Sequence, residues 1–237
     1  VIPRKTGSGH YDRFRDRIVF PIRNTARQVI AFGGRVLDDG LPKYLNSPET
    51  PIYTKGRSLY GIDLAREHCR KSESVFVVEG YFDLLALHQH GIQNAVATLG
   101  TALTPEHVRI LRGCIGENGT VVLVYDSDAA GIKAAQRSIG VFEQGYAEAR
   151  ICVLPPGHDP DSFIFEFGAA AFQKAAAEAR GIMPFLMEAA VARHGLSVDG
   201  KVQIVSELSA AIAAIQDPMA RALYIKDLAE RLQVDEG

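Results

Sequence analysis

The chain has 237 residues, 47% of them hydrophobic, with 26 Lys+Arg against 28 Asp+Glu, three cysteines and no tryptophan. That length supports one sizeable core or two modest ones. No apolar run is long enough to span a bilayer and no secretory signal opens the sequence, so a membrane partner is not expected. Cys69, Cys114 and Cys152 are far apart and form no Cys-x-x-Cys pair. Zinc and a disulfide framework are therefore not expected, and a reducing cytoplasm fits. Near-neutrality hides a split, because residues 1–60 hold 11 Lys+Arg against 5 Asp+Glu and the remainder 15 against 23. A basic front suits phosphates, and an acidic back suits metal.

Val1-Ile-Pro-Arg-Lys5 lacks an initiator methionine, and a piece of a longer protein is expected. Arg17 to Arg23 and Gln28 to Leu37 read as two strands of a hairpin turning at Asn24-Thr-Ala-Arg27. Gly33-Gly34 suggests a bulge or a close approach of ligand to backbone. Leu41 to Arg57 contains three prolines and one glycine and reads as a long functional loop. Its Lys43, Asn46, Ser47, Lys55 and Arg57 suit phosphate oxygens.

From Ser74 the pattern alternates. Val75 to Val78, Ala95 to Thr98, Val121 to Tyr125 and Arg150 to Leu154 read as strands. Between the first two lies a helix from Tyr81 to His90, closed by Gly91. The next helix is announced by Thr104 as N-cap and Pro105 at its first position. This succession implies an α/β fold with a mostly parallel sheet. After Ser162 only helices are predicted, over about 162–179, 183–194, 199–216 and 217–234. Val202, Val205, Leu208, Ile212 and Ile215 make a core-facing stripe on the third of these. The expected division is a basic β-rich part over 1–60, a sheet domain over 61–165 and a helical bundle over 166–237.

The acids carry the chemistry. Glu79, Asp126, Asp128, Asp159 and Asp161 each follow a predicted strand, and Asp83 lies one helical turn beyond Glu79. On adjacent parallel strands they would share one rim, where repulsion raises their pKa values unless divalent cations relieve it. Mg²⁺ or Mn²⁺ held there would stabilise both oxygens of a phosphoryl transfer. For the Asp-x-Asp pair alone, Asp128 as helix N-cap and Asp126 as turn residue is the alternative. No Gly-x-Gly-x-x-Gly follows the first strand and no Walker A loop is present, which excludes both nucleotide-binding patterns. His88 and His90 diverge on one helix and read as surface residues rather than metal ligands.

Glu79-Gly-Tyr-Phe-Asp83, Tyr125-Asp-Ser-Asp-Ala-Ala-Gly131 and His158-Asp-Pro-Asp161 resemble the three signatures of a TOPRIM domain. Phe14-Arg-Asp-Arg-Ile-Val-Phe-Pro21, Phe32-Gly-Gly-Arg35, Pro42 to Thr50, Lys55-Gly-Arg57 and Leu59-Tyr-Gly61 narrow the likeness. From about residue 10 to its end the chain resembles the catalytic core of bacterial replicative DNA primase (DnaG type).

The resemblance implies a TOPRIM-type sheet preceded by a partial basic subdomain and followed by a helical bundle. It implies synthesis of short RNA primers from ribonucleoside triphosphates on single-stranded DNA, in the bacterial cytoplasm. Glu79, Asp83, Asp126 and Asp128 would be catalytic, and Glu79, Asp126, Asp128, Asp159 and Asp161 would hold Mg²⁺ or Mn²⁺. Arg15, Arg35, Lys43, Asn46 and Lys55 would bind nucleotide and template. The family's zinc ribbon and helicase-binding domain are expected to be missing, so that the replicative helicase would dock only through an absent part. Two other functions use the same motifs: a metal-dependent DNA-cleaving enzyme, and a non-catalytic nucleic-acid-binding module.

Overall fold

Where the basic segment turns, the Asn24 side-chain oxygen accepts hydrogen bonds from the amides of Ala26 and Gln28, each at 3.0 Å. This local bonding closes the expected hairpin of β3 (Arg17–Arg23) and β4 (Val29–Val36). Ahead of it, β1 (Ile2–Pro3) pairs with β2 (His10–Tyr11). The computed structural model describes residues 2–3, 7–38, 40–125, 129–145 and 148–234, without the side chains of 3, 129–131 and 143–145.

Two expectations for this region need correction. The segment from Leu41 to Arg57 is not all loop, because β5 (Tyr44–Asn46) pairs antiparallel with β4 and Lys55–Arg57 forms a 3₁₀ turn. Nor does Gly33-Gly34 mark a bulge. The pairing of β3 with β4 runs regularly through both glycines, and its irregularity lies at Ile22/Arg23. The glycines instead make room for rings. A Cβ on Gly33 would overlap the Tyr81 hydroxyl, and one on Gly34 would come within 2.7 Å of the Phe14 ring.

The five-stranded sheet arises from apolar runs too hydrophobic to leave either face in water. It contains β6 (Ser74–Val78), β7 (Ala95–Ala97), β8 (Thr120–Tyr125), β9 (Glu148–Val153) and β10 (Arg180–Gly181), in the order β10-β9-β8-β6-β7. All pairings are parallel except that of β10, an antiparallel edge strand. From β6 the chain goes first to one side, forming β7, and then to the other, forming β8. Ligands in such sheets sit at this reversal, beyond the carboxyl ends of the strands.

One face of the sheet packs on α1 (Ile62–Ser72), α3 (Pro105–Ile115) and α4 (Ala129–Gly145). The other packs on α2 (Tyr81–Gln89) and α5 (Pro160–Ala177). Thr104 caps α3 as expected, its hydroxyl accepting from the His107 amide at 3.1 Å. The helix expected from Ser162 is broken, since Gly168 takes φ 78 inside α5, a conformation that side chains disfavour.

Three further helices extend the first core: α6 (Ile182–His194), α7 (Val198–Ala214) and α8 (Pro218–Leu232). On α7 the buried stripe is Ile204, Leu208, Ala211 and Ile212, leading to Ile215. Val202 and Val205, expected in the core, are 61% and 49% exposed. Spacings through 202-205-208-212 and through 204-208-211-215 both make a helical face, and the packing of α6 and α8 selects the second.

A substitution series tests the glycine reading. Gly33→Ala should cost about 1–3 kcal/mol, because Tyr81 is packed among other rings and cannot simply swing aside. Gly113→Ala, in α3 with nothing within 4 Å of the new carbon, should gain about 0.5–1 kcal/mol. Urea unfolding of both variants is the check, and a Gly33→Ala variant as stable as the parent would contradict the packing argument.

Candidate active site

The turn after β6 places the first acid. Glu79 follows Val78 directly, and the Asp83 carboxylate then accepts from the Gly80 amide at 2.9 Å, closing the first turn of α2. β6 and β8 run parallel with Val77 opposite Leu123, so Glu79 lies at the strand end where Tyr125 completes β8. Asp126 and Asp128 come next in the sequence and lie outside the described residues.

Asp159 is the N-cap of α5. Its Oδ1 accepts from the Ser162 amide at 2.8 Å and the Ser162 hydroxyl at 2.6 Å. Burial alone would raise this carboxyl, but the Ser162 bonds outweigh it and hold the group below the usual range. Asp161 moves the other way. Burial raises it first, the neighbouring Asp159 charge adds to that, and Arg35 offsets only part. The expected repulsion is thus visible at Asp161, while at Asp159 the Ser162 bonds decide the shift.

A cavity of about 360 Å³ joins these acids to the basic hairpin. Glu79, Asp83, Asp159 and Asp161 line one side, and Arg35, Lys43 and Asn46 line the other. The Arg35 guanidinium lies 4.4 Å from the Phe82 ring centre and 5.4 Å from that of Tyr44. Its buried Nε has no hydrogen-bond partner among the described residues. A cation stacked in place with an unmet donor is suited to an anionic ligand. Tyr44 senses both sets of charges: burial raises its pKa, Arg35 lowers it, and Asp83, Asp161 and Asp159 raise it.

Sequence reasoning missed the side chains that brace this cleft. Tyr81 stacks on Phe20 with ring centres 4.8 Å apart and donates its hydroxyl to Asn46 Oδ1 at 2.7 Å. Asn46 Nδ2 donates to the Leu99 carbonyl at 3.0 Å, and Arg13 donates two bonds to the Asn46 carbonyl at 3.2 and 2.9 Å. Asn46 is therefore a brace between sheet and hairpin as well as part of the lining. The only signal in the sequence was Tyr81 itself, inside Glu79-Gly-Tyr-Phe-Asp83.

Two predicted phosphate contacts do not line this cavity. Arg15 is exposed, with its guanidinium 5.0 Å from the Tyr11 ring centre. Lys55 contributes backbone: its carbonyl accepts from His107 Nε2 at 2.8 Å, while the Thr104 hydroxyl donates to the Gly56 carbonyl at 2.6 Å. These bonds fasten the 3₁₀ turn to α3. His88 and His90 are half-buried rather than surface residues, and their rings bond the carbonyls of Ala95 and Ala86 at 3.0 and 2.8 Å.

Among the described residues, no three His, Cys, Asp or Glu side chains converge closely enough to hold a metal ion. The acids lining the cavity are hard oxygen donors of the kind Mg²⁺ takes, and a cation would offset both the burial and the neighbouring Asp159 charge that raise Asp161. They fit a divalent ion as part of its ligand set.

Three family models match successive parts of the chain. Residues 1–66 match the DNA primase catalytic core, N-terminal domain; residues 76–164 match a Toprim-like domain; residues 183–237 match the DnaB-helicase binding domain of primase. The last match corrects the expectation that a helicase-binding part is missing. Its helices carry no short motif, only apolar stripes that any bundle would show. The chain is 39% identical to a DNA primase of Halalkalibacterium halodurans over 99% of its own length and 39% of that relative's. It thus spans about two fifths of the curated relative. A crystal structure of a DNA primase domain from Pseudomonas aeruginosa superposes with a TM-score of 0.86 at 37% identity, covering 99% of this chain and 74% of that one. A DnaG primase catalytic domain bound to single-stranded DNA superposes at 0.79 with 36% identity, over 97% of this chain and 74% of that one.

The bonds around His107 predict a pH dependence. Its Nδ1 accepts from the Thr104 amide at 3.3 Å, so the ring is neutral and Nε2 donates to Lys55. Burial lowers its pKa, as it does that of His88. The unfolded chain takes up these protons near pH ~6.5, so the unfolded state binds more protons below that point. Their contribution to stability is complete above about pH 6.5 and lost as pH falls below it. The urea midpoint should drop between pH 7 and 5, and His107→Gln should flatten that slope. An unchanged slope in the variant would remove His107 from the account.

Proposed function

The chain belongs to the DNA primase family, and from that membership we propose that it joins ribonucleotides into short RNA primers on a single-stranded DNA template. The observation that carries this reading is the cavity where Arg35, Lys43 and Asn46 face Glu79, Asp83, Asp159 and Asp161. A triphosphate brought to an acidic rim needs cations opposite that rim, and this cleft has both. In class the activity is that of a nucleotidyltransferase, a DNA-directed RNA polymerase.

In the proposed reaction the 3′-hydroxyl oxygen of one nucleotide attacks the α-phosphorus of a bound triphosphate. A new O3′–Pα bond forms, the bond from Pα to the bridging oxygen breaks, pyrophosphate leaves, and the hydroxyl proton passes to solvent. Arg35 and Lys43 hold the phosphates by charge. Glu79, Asp126, Asp128, Asp159 and Asp161 are the proposed holders of Mg²⁺ or Mn²⁺, with Asp83 as a supporting acid that also shapes the turn at Gly80. Bound there, the ion would acidify the attacking hydroxyl and neutralise charge gathering on the phosphates. The Ser162 bonds keep Asp159 ionised, the state a ligand needs. Arg15 and Lys55, outside the cavity, are proposed contacts to template or outlying phosphates.

The related catalytic domain bound to single-stranded DNA supports a nucleic-acid partner. The match over residues 183–237 supports docking of the replicative helicase on the C-terminal helices. Division into a basic part, a TOPRIM domain and a helical bundle near residues 60 and 165 goes with this reading, as does a cytoplasmic place at the replication fork. No described helix is long and apolar enough to cross a membrane.

The test is primer synthesis on single-stranded DNA with Mg²⁺ or Mn²⁺. Lys43→Ala and Arg35→Ala should each raise the triphosphate KM about 10- to 100-fold, the loss of a charge-assisted contact worth ~1.5–3 kcal/mol. Manganese binding should survive both changes. Glu79→Gln and Asp126→Asn should lose manganese binding and synthesis together. Nicking of DNA without nucleotide incorporation by the parent chain would favour the DNA-cleaving alternative instead.

A further inference from the structure

Glu79 stands between two cavities. Besides the cleft it shares with Arg35 and Lys43, it lines a second space of about 330 Å³ on the sheet face that carries α3 and α4. Gly100 is the other residue common to both. The second cavity opens where β6 and β8 part, lined by Val78 and Glu79 on one strand and by Leu123 and Tyr125 on the other. That is the reversal in strand order where open α/β sheets place ligands. Its volume is within the range of small-molecule sites, about 300–1,000 Å³.

The two linings differ in a way that sorts ligands. The first has a stacked arginine and a lysine, as a triphosphate requires. Among the described residues the second has a single cation, Arg137, which is exposed. Among the described residues the remaining polar side chains are the Glu79 carboxylate and the hydroxyls of Thr98, Thr101, Tyr125 and Ser138, set among apolar walls such as Leu103 and Ala134. The Tyr125 and Ser138 hydroxyls are 3.4 Å apart, and Ser138 donates to the Ala134 carbonyl at 2.9 Å. The Tyr125–Ser138 contact is too long to be a strong bond, which leaves the phenol able to serve another partner. Hydroxyls, apolar walls, one cation and the Glu79 carboxylate, which repels a polyphosphate and can accept from a sugar hydroxyl, suit a nucleoside with at most one phosphate.

A primer's first bond needs two nucleotides at once, one giving its phosphorus and one its hydroxyl. We infer that the cavity lined by Glu79, Thr98, Tyr125, Arg137 and Ser138 is the seat of the acceptor nucleotide, the one whose 3′-hydroxyl attacks. This rests on the primase reading above and adds a second substrate site to it. The shared Glu79 would then stand beside both reacting partners.

The experiment is templated dinucleotide formation by this chain, with a nucleoside monophosphate as acceptor, since it cannot serve as donor. Arg137→Gln and the space-filling Ala134→Leu should raise the acceptor KM about tenfold, while the donor KM and kcat stay within about twofold. Calorimetric affinity for the monophosphate alone should fall in parallel, a change that a loss of folding stability does not imitate. Melting temperatures identify a variant that fails to fold. Because Arg137 is on the surface, Arg137→Gln carries the test if Ala134→Leu unfolds the chain. An unchanged acceptor KM, or an equal rise for donor and acceptor, overturns the assignment while leaving the primase reading in place. A parent chain that forms no dinucleotide on any template overturns both.

Discussion

Opposite charges that must stay close without cancelling one another are the constraint on which this structure depends. Arg35 and Lys43 share one cavity with Glu79, Asp83, Asp159 and Asp161, and among the described residues Asp159 and Asp161 form no ion pair with either cation. Neutral groups maintain the separation. Tyr81 spans from the acidic turn to Asn46, Asn46 reaches on to Leu99, and Arg13 fastens Asn46 from the hairpin side. Phe82 and Tyr44 flank the Arg35 guanidinium. A cleft braced in this way pays little reorganisation when a phosphate arrives, which is the condition for electrostatic stabilisation of a reaction.

The sheet was legible because its chemistry is local. Val121 to Val124 are almost wholly buried, as an apolar run without alternation implies, and the caps at Thr104 and Asp217 stand where their side chains announce them. Gathering of acids at one rim followed from the strand order, and the part of it that lies within the described residues is present in the cavity lining. What pattern could not supply depends on partners far away in sequence. Gly33-Gly34 looked like a place for a bulge or for a ligand's approach because the ring of Tyr81, 48 residues later, is invisible to any local window. Asn46 looked like a ligand alone because the two bonds that hold its amide come from Tyr81 and Leu99. On α7, two apolar faces shared Leu208, and only α6 and α8 could select between them.

The C-terminal helices show the same limit for function. Their sequence announces a bundle, and nothing in the periodicity distinguishes a scaffold from a docking surface. Only likeness over residues 183–237 to the helicase-binding domain of primase bears on that distinction. Physically the bundle is continuous with the catalytic sheet. α4, which begins just after Asp128, shares a core with α6 and α7. Gln136 of α4, Arg193 and His194 of α6 and Glu207 of α7 meet in one polar cluster, with bonds of 2.8 to 3.3 Å. The first of these helices, α6, therefore packs directly on α4 and on the sheet that carries the acids.

The central claim is that the acids and the hairpin cations form one site completed by a divalent ion. Calorimetric titration of the chain with a ribonucleoside triphosphate, once in Mg²⁺ and once in EDTA, tests it most directly. The account predicts binding that is strong with the ion, much weaker in EDTA because the unscreened rim repels phosphate, and reduced in both by Arg35→Ala. Equal affinity in Mg²⁺ and EDTA would contradict it, since the acids would then play no part in holding the nucleotide.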